Sequence, residues 1–507
     1  MSRKAVVVGA GFGGLSAAAL LGREGLEVTV LEKNPEPGGR ARVWKQDGFV
    51  FDMGPSWYLM PEVFDDFFAL FGKRREDYYR LTRLDPCYRV FFGKGEQVDV
   101  TPDTAATRRL FETFEPGAGS RLAEYLELAR YKYDTAMTDF IYREYRHLFQ
   151  FFNHKIAMGG LKLDLFSSLD RSVRRFFSDR RARQILEYAM VFLGTSPDNA
   201  PALYSMLTHV DLTLGVWYPD GGFGSIVKAL ERLSVEQGVK FLYDCPVTGY
   251  RFAGQRITAV RTPRGELAAD LVVCNADYHH ADRELLPPEL ASYSAAWWNR
   301  RIVAPTMFVL YLGIAGRVPE LVHHNLYFQE DWRRHFHAIF RQPAWPEDPC
   351  FYLSCPSKSD PSVAPAGMEN LFVLVPVAPG LSDTDDIRES YAAMVIQHVE
   401  RVTGIAIRDR IKVRRIFSHR DFVADYNAFK GTALGLAHTL GQTAIFRPAA
   451  RSRKLPNLFY TGQYPHPGVG VPMTLIASRL AVDAALGTDL AAQGRAREAR
   501  RHGRVSR

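Results

Sequence analysis

No run of about 18 or more apolar residues occurs in the 507-residue chain, so no segment is long enough to cross a bilayer as an apolar helix. Cysteine is scarce and scattered. Cys87, Cys245, Cys274, Cys350 and Cys355 are odd in number, and none has the spacing to histidine of a metal site. Cys350 and Cys355 lie too far apart for a Cys-x-x-Cys redox pair, so buried thiols in a reducing compartment are expected. The first apolar run, Ala5 to Val8, leads straight into glycines and is too short for a secretory signal. A cytoplasmic protein, or one peripheral on the cytoplasmic side of a membrane, is the expectation. A basic stripe is lacking too. The net charge is +8, but residues 494–507 hold six arginines and one glutamate, which leaves +3 for the rest. That excludes a nucleic-acid footprint on the body. It marks residues 491–507 as a disordered Arg-rich tail that could touch anionic lipid.

What the sequence does have is material for a large core. The apolar fraction is 47% and the aromatic fraction 12%, as in a well-packed enzyme. The length calls for two lobes rather than one compact core.

Lys4 to Val8 reads as a short, fully buried parallel strand. Gly9-Ala10-Gly11-Phe12-Gly13-Gly14 follows at once, and Leu15 to Gly22 reads as an Ala/Leu-rich helix. Gly9 permits the tight turn, Gly11 lets the backbone approach a pyrophosphate, and Gly14 lets helix and strand pack closely. The phosphates then meet the free amides at the helix start. Glu27 to Leu31 forms a second strand ending at Glu32, 18 residues beyond Gly14, where a ribose-binding carboxylate belongs. An acid there disfavours a 2′-phosphate and hence NADP. NAD and FAD remain open at this point.

Two further strand–glycine–helix stretches follow. One begins near Tyr218-Pro219-Asp220-Gly221-Gly222 and runs through a helix (Ser225 to Gln237) to strands at Val239–Tyr243 and Ala269–Ala276. The other runs from Leu455 to Gln463, through the loop Pro465–Met473, into a helix ending near Leu486. Between them lie two long stretches without nucleotide signals, in which Phe308–Leu312 and Leu371–Val375 read as buried strands.

Pro37-Gly38-Gly39-Arg40-Ala41, Phe51-Asp52-Met53-Gly54-Pro55-Ser56, Gly215–Pro219 with Gly221-Gly222, and His466-Pro467-Gly468-Val469-Gly470-Val471-Pro472 carry a resemblance. From Val6 to about Leu486 the chain resembles the bacterial-type carotenoid (phytoene) desaturases, within the flavin amine oxidase superfamily. The Gly462-Gln463 pair departs from the small residues often found there, which leaves the subfamily open. The resemblance selects FAD as cofactor. It implies an α/β fold: a Rossmann-like FAD-binding domain (1–100, 218–285, 446–490) with a discontinuous α+β substrate domain (101–217, 286–445). It also implies that FAD meets Gly9, Gly11, Phe12, Gly13, Gly14, Glu32, Lys33, Gly39, Arg40, Gly54, Pro55, Ser56, Gly462, Val471, Pro472 and Met473. Val247 would meet the adenine through its backbone.

The implied activity is desaturation of a long-chain C30–C40 polyene such as phytoene. Hydride passes to flavin N5 and then to quinone or oxygen, since no second dinucleotide motif is present. A carotenoid isomerase or oxygenase on the same fold is the alternative. An FAD amine oxidase and a non-catalytic lipid-binding flavoprotein are further ones. No catalytic base is assigned; His466 beside the flavin-end loop is a weak candidate, and Asp52 and Asp425 could simply cap turns. A water-insoluble substrate also implies work at a membrane surface. Ile141, Tyr145, Leu148, Phe149, Phe152 and Ile156 share one helical face with basic residues around it, suited to a lipid interface or to the protein's own core.

Overall fold

The computed structural model describes residues 2–93, 95–143, 164, 167–490 and 492. The aromatic face proposed around Tyr145 to Ile156 and the arginine tail lie outside them.

A five-stranded parallel sheet runs in the order Leu458–Tyr460, Leu271–Cys274, Lys4–Val8, Glu27–Leu31, Lys240–Leu242. Its central strand is buried on both sides, which explains the unbroken valines. Ala5 and Val7 join one core with Leu15, Ile226 and Leu475 from three helices, Phe12–Arg23, Phe223–Glu236 and Val471–Leu486. Val6 and Val8 point the other way, into a core with Tyr250 and Ile257 of a three-stranded antiparallel layer. The first helix starts at Phe12, inside the glycine motif, rather than at Leu15. Likewise the last begins at Val471 rather than Thr474, because a proline such as Pro472 is tolerated in a first helical turn.

The second sheet has seven strands, ordered Ile411–Phe417, Thr306–Ile314, Glu369–Val377, Phe351–Ser354, His324–Phe328, Tyr88–Phe92, Gln97–Val100. All nine residues of Thr306–Ile314 are buried. Phe308, Leu310 and Leu312 pack with Tyr391 and Val395 of helix Asp385–Thr403, while Met307, Val309 and Tyr311 face a second core shared with helices Thr104–Phe114 and Ala118–Thr135. The expected boundary at residue 100 needs correction. Residues 88–100 pair into this second sheet, since Tyr88–Phe92 lies parallel to His324–Phe328, a partner that no local signal could announce.

The lobes meet along residues 49–57. Asn370 Nδ2 donates to Val50 O at 2.8 Å, and the Tyr311 hydroxyl donates to Met53 O at 2.8 Å. This pins the Gly54–Ser56 segment between them.

At Gly14 a Cβ would lie 1.9 Å from Gly9 O, backbone against backbone. At Gly11 it would meet only the Asn275 amide, at 2.8 Å. Gly14→Ala should therefore cost about 3 kcal/mol or more of stability, and Gly11→Ala much less. Thermal unfolding of the two variants checks this; equal losses would mean that helix and strand are not held this close.

Candidate functional site

The glycine turn leaves strand Lys4–Val8 with Gly9 at φ +92°. Helix Phe12–Arg23 then opens at Gly11 with no side-chain cap and no acid in its first turn. Its free amides face a cavity of about 600 Å³, which Gly9, Gly11, Phe12 and Gly13 line. Gly14 does not line it; its part is the close packing just described. Asn275, one residue past strand Leu271–Cys274, sits where a Cβ on Gly11, Gly13 or Gly462 would be, at 2.8, 2.5 and 2.9 Å. Two glycine segments thus converge on one amide side chain. No local pattern singles it out, although it lies within the expected strand Ala269–Ala276.

Glu32 is buried at the edge of the same cavity. Its Oε2 accepts from Ala10 N at 2.7 Å, and its Oε1 accepts from Asn34 N and Nδ2 at 2.9 and 2.8 Å. The carboxylate is thereby fixed while lone pairs remain for vicinal hydroxyls. Val247 lines the cavity on this side, where Cys245 N donates to Glu32 O at 2.9 Å. Lys33 lines it too, but its ammonium donates to Ala424 O at 2.6 Å and Asn427 Oδ1 at 3.3 Å. Burial lowers its pKa.

Gly38 N donates to Ala10 O at 2.8 Å, which lays the Pro37–Ala41 segment along the glycine turn. Arg40 lies over the Tyr426 ring at 5.1 Å, and its Nε is buried without a partner. Asp425 forms an ion pair with Arg42, and so is spoken for. Asp52 accepts from Phe223 N at 2.7 Å and Gly224 N at 3.2 Å. It therefore caps helix Phe223–Glu236, and burial holds its carboxyl up at about 7. Of the three helices that pack on the parallel sheet and start at glycines, this one is satisfied by the protein's own carboxylate.

The third, Val471–Leu486, is not. It begins after Gly470 (φ +123°) with no side-chain cap, and Gly462, Val471, Pro472 and Met473 line the cavity. Nearby, Thr461 Oγ1 and Gln463 Nε2 are buried without partners. The buried Arg447 holds this loop by donating to Tyr464 O at 2.8 Å and Gln463 O at 2.7 Å. His438 accepts from Val469 N at 3.3 Å through Nε2, and its Nδ1 lies 2.6 Å from the Tyr204 hydroxyl. His466 also lines the cavity; its Nε2 sits 3.2 Å from the carbonyls of Phe140 and Ile141. Burial lowers its pKa to about 4, so the ring is neutral near pH 7. Two open helix starts, a fixed carboxylate and unpaired buried donors fit a dinucleotide cofactor with a negatively charged diphosphate.

Beyond Gly54, Pro55 and Ser56, which line the join, the cavity turns apolar and aromatic, with Trp57, Tyr188, Phe192, Val309 and Phe336 on its walls. One carboxyl interrupts them. Asp211 Oδ2 accepts from the Tyr88 and Tyr188 hydroxyls at 2.8 and 2.9 Å, while its Oδ1 is buried with no partner. Burial raises its pKa to about 7. No local pattern could have found it, because Tyr88 is 123 residues away. Among the described residues no cluster could hold a metal ion, and no helix is long and apolar enough to cross a membrane.

Comparison with known proteins agrees with this architecture. A profile of the flavin containing amine oxidoreductases matches residues 12–486. A carotenoid 3,4-desaturase of Haloarcula japonica is 47% identical, over 94% of this chain and 97% of its own. A zeta-carotene-forming phytoene desaturase of Myxococcus xanthus is 37% identical over 95% and 93%. A 4,4′-diapolycopene oxygenase of Methylomonas is 32% identical over 95% and 98%. In fold, the chain resembles an oxidoreductase from Methanosarcina mazei (TM-score 0.65, 17% identity, 94% of this chain and 99% of that one). It also resembles putrescine oxidase bound to putrescine (TM-score 0.61, 15% identity, 96% and 100%). With nearly its whole length matched, the chain belongs to the flavin containing amine oxidoreductase family.

Proposed function

We propose that this protein is an FAD-dependent carotenoid desaturase that introduces double bonds into a C30–C40 polyene. The observation that carries this reading is the single cavity in which two uncapped helix starts give way, past Gly54–Ser56, to a long apolar and aromatic end. When bound, FAD supplies the hydride acceptor, its N5. The chain's own residues do the rest. The amides after Gly11 and Gly470 meet negative charge, Glu32 takes the ribose hydroxyls, and Arg40 with its unpaired Nε meets a further acceptor. Trp57, Phe192 and Phe336 hold the hydrocarbon and keep water out. Quinone or oxygen takes the electrons onward, and the substrate's insolubility in water favours work at a membrane surface.

The direct test is flavin reduction without oxygen by phytoene or a related polyene in liposomes, followed by quinone addition and product absorption. Longer conjugation and quinone turnover are expected, with no need for NADP. A flavin that no polyene reduces but an amine does would move the chain to amine oxidation. A product with unchanged double-bond count, or with added oxygen, would move it to isomerisation or oxygenation.

Glu32→Ala should weaken FAD binding by about 1.5–3 kcal/mol, roughly tenfold to a hundredfold. Glu32→Gln should lose less, since its carbonyl can still accept from Ala10 N. Titration with FAD measures both, and full affinity in the alanine variant would remove Glu32 from the site.

A second reading of the substrate rests on Asp211. A buried acceptor left bare in an apolar wall suits a polyene that already carries a hydroxyl. Such a substrate should then have a KM about tenfold below that of the matching hydrocarbon. Asp211→Leu should erase the difference with FAD still bound; a parent enzyme that treats both alike ends this reading.

A further inference from the structure

Beside the join of the two cavity halves lies a separate small chamber of about 20 Å³. Its walls include Asp52, Ser56, Tyr218, His323, Ser354 and Asn370. One water needs about 10–15 Å³ on this measure, together with two to four polar partners. Two buried atoms of lining residues, His323 Nε2 and Ser354 Oγ, have no hydrogen-bond partner in the protein. A polar chamber of this size with bare donors and acceptors has room and partners for one water; an apolar one would stay dry.

The chamber has an inner and an outer side. Ser56 lines both it and the main cavity. On the far side the His323 ring reaches outward, with Nδ1 2.9 Å from the hydroxyl of Ser359, which is exposed. One imidazole therefore spans the distance from buried chamber to surface.

We infer that Ser56, one water in this chamber and His323 form a path that carries protons from the flavin end of the cavity to solvent at Ser359. The inference rests on the desaturase reading. Each desaturation breaks C–H bonds on two neighbouring carbons and forms one C=C bond. One hydrogen leaves with its electron pair to the flavin, which is reduced by two electrons as the polyene is oxidised. The other leaves as a proton, which an apolar cavity cannot hold. Along the path, the Ser56 hydroxyl takes this proton as it passes its own to the water. The water passes one to His323 Nε2, and Nδ1 releases one to Ser359 and solvent. Every member ends neutral, so no ion is left in the interior. Return of the ring to its first tautomer resets the path.

The groups facing the ring fit a neutral carrier. Burial holds the pKa of His323 down at about 3, against the pull of Asp360. The Tyr218 ring lies 4.7 Å away and that of His324 4.4 Å away. Asp360 accepts from Gly221 N at 2.8 Å and the Tyr218 hydroxyl at 3.2 Å. Asp52 is committed to the amides of Phe223 and Gly224. The imidazole is left as the group that can accept on one side and donate on the other.

Two measurements test this on the full chain with FAD bound. A high-resolution crystal structure should place a water within hydrogen-bond distance of His323 Nε2 and Ser354 Oγ; an empty chamber overturns the proposal. In single-turnover flavin reduction by bound polyene, His323→Gln and Ser56→Ala should each slow the step by about tenfold or more. In His323→Gln, FAD content, flavin spectrum and polyene affinity should stay as in the parent, and the parent should show a solvent deuterium effect on this step. If both slow variants instead reduce flavin at the parent rate, the path is overturned while the desaturase reading stands. A parent flavin that no polyene reduces removes that reading itself, and the path's task with it.

Discussion

Among the described residues, the closest approach that permits no side chain is that of Gly14 to the Gly9 carbonyl. Helix Phe12–Arg23 can lie against strand Lys4–Val8 only because no Cβ stands there. That contact sets the helix start at the carboxyl edge of the parallel sheet, the edge at which open α/β sheets bind their ligands. The neighbouring strands Leu271–Cys274 and Leu458–Tyr460 then deliver Asn275 and Gly462 to the same edge. A shift of one side-chain layer would move the cradle, the ribose-binding carboxylate and the join to the apolar half together.

Charge is distributed over the helix starts with some economy. Three helices begin at glycines near this edge, and each offers free amides with a partial positive charge. Asp52 occupies one of them from within the protein. The other two are left open side by side, since a Cβ on Gly13 would lie 3.0 Å from Thr474 in the first turn of the last helix. The buried Asp52 is thus structural at the helix and a wall of the small chamber at once. Arg447 and His438 work in the same way on the last loop, fixing backbone carbonyls and an amide.

What was legible in the sequence follows from how local each signal is. The glycine turn, Glu32 and the two later strand–glycine–helix stretches are written in contiguous residues, because each is one βα unit with its own turn. The nine-residue strand Thr306–Ile314 was legible too, since burial on both faces leaves an unbroken apolar run. Residues 88–100 fall within the stretch expected for the FAD-binding domain because Tyr88–Phe92 finds its partner, His324–Phe328, more than two hundred residues on, and Gln97–Val100 pairs with Tyr88–Phe92. Asp211 and His323 were invisible for a related reason. Their surroundings are made by Tyr88, Tyr188, Ser359 and Tyr218, which only the tertiary fold collects. Asn275 is in plain view, yet an asparagine after a strand carries no sign that two glycine segments will close on it.

The order of strands in the parallel sheet has a kinetic consequence. The central strand is completed by one neighbour from residues 271–274, and the next in line comes from residues 458–460. Contacts of such long sequence separation form slowly, because chain entropy is lost before they can reward it. On the ribosome the amino-terminal glycine turn emerges early and must wait, with its apolar helix, for partners made hundreds of residues later. At about 5–20 residues per second that wait lasts tens of seconds. During it the nascent chain has half a nucleotide cradle and an uncovered sheet edge, so capture of the flavin belongs among the last events of folding, and protection by chaperones among the first.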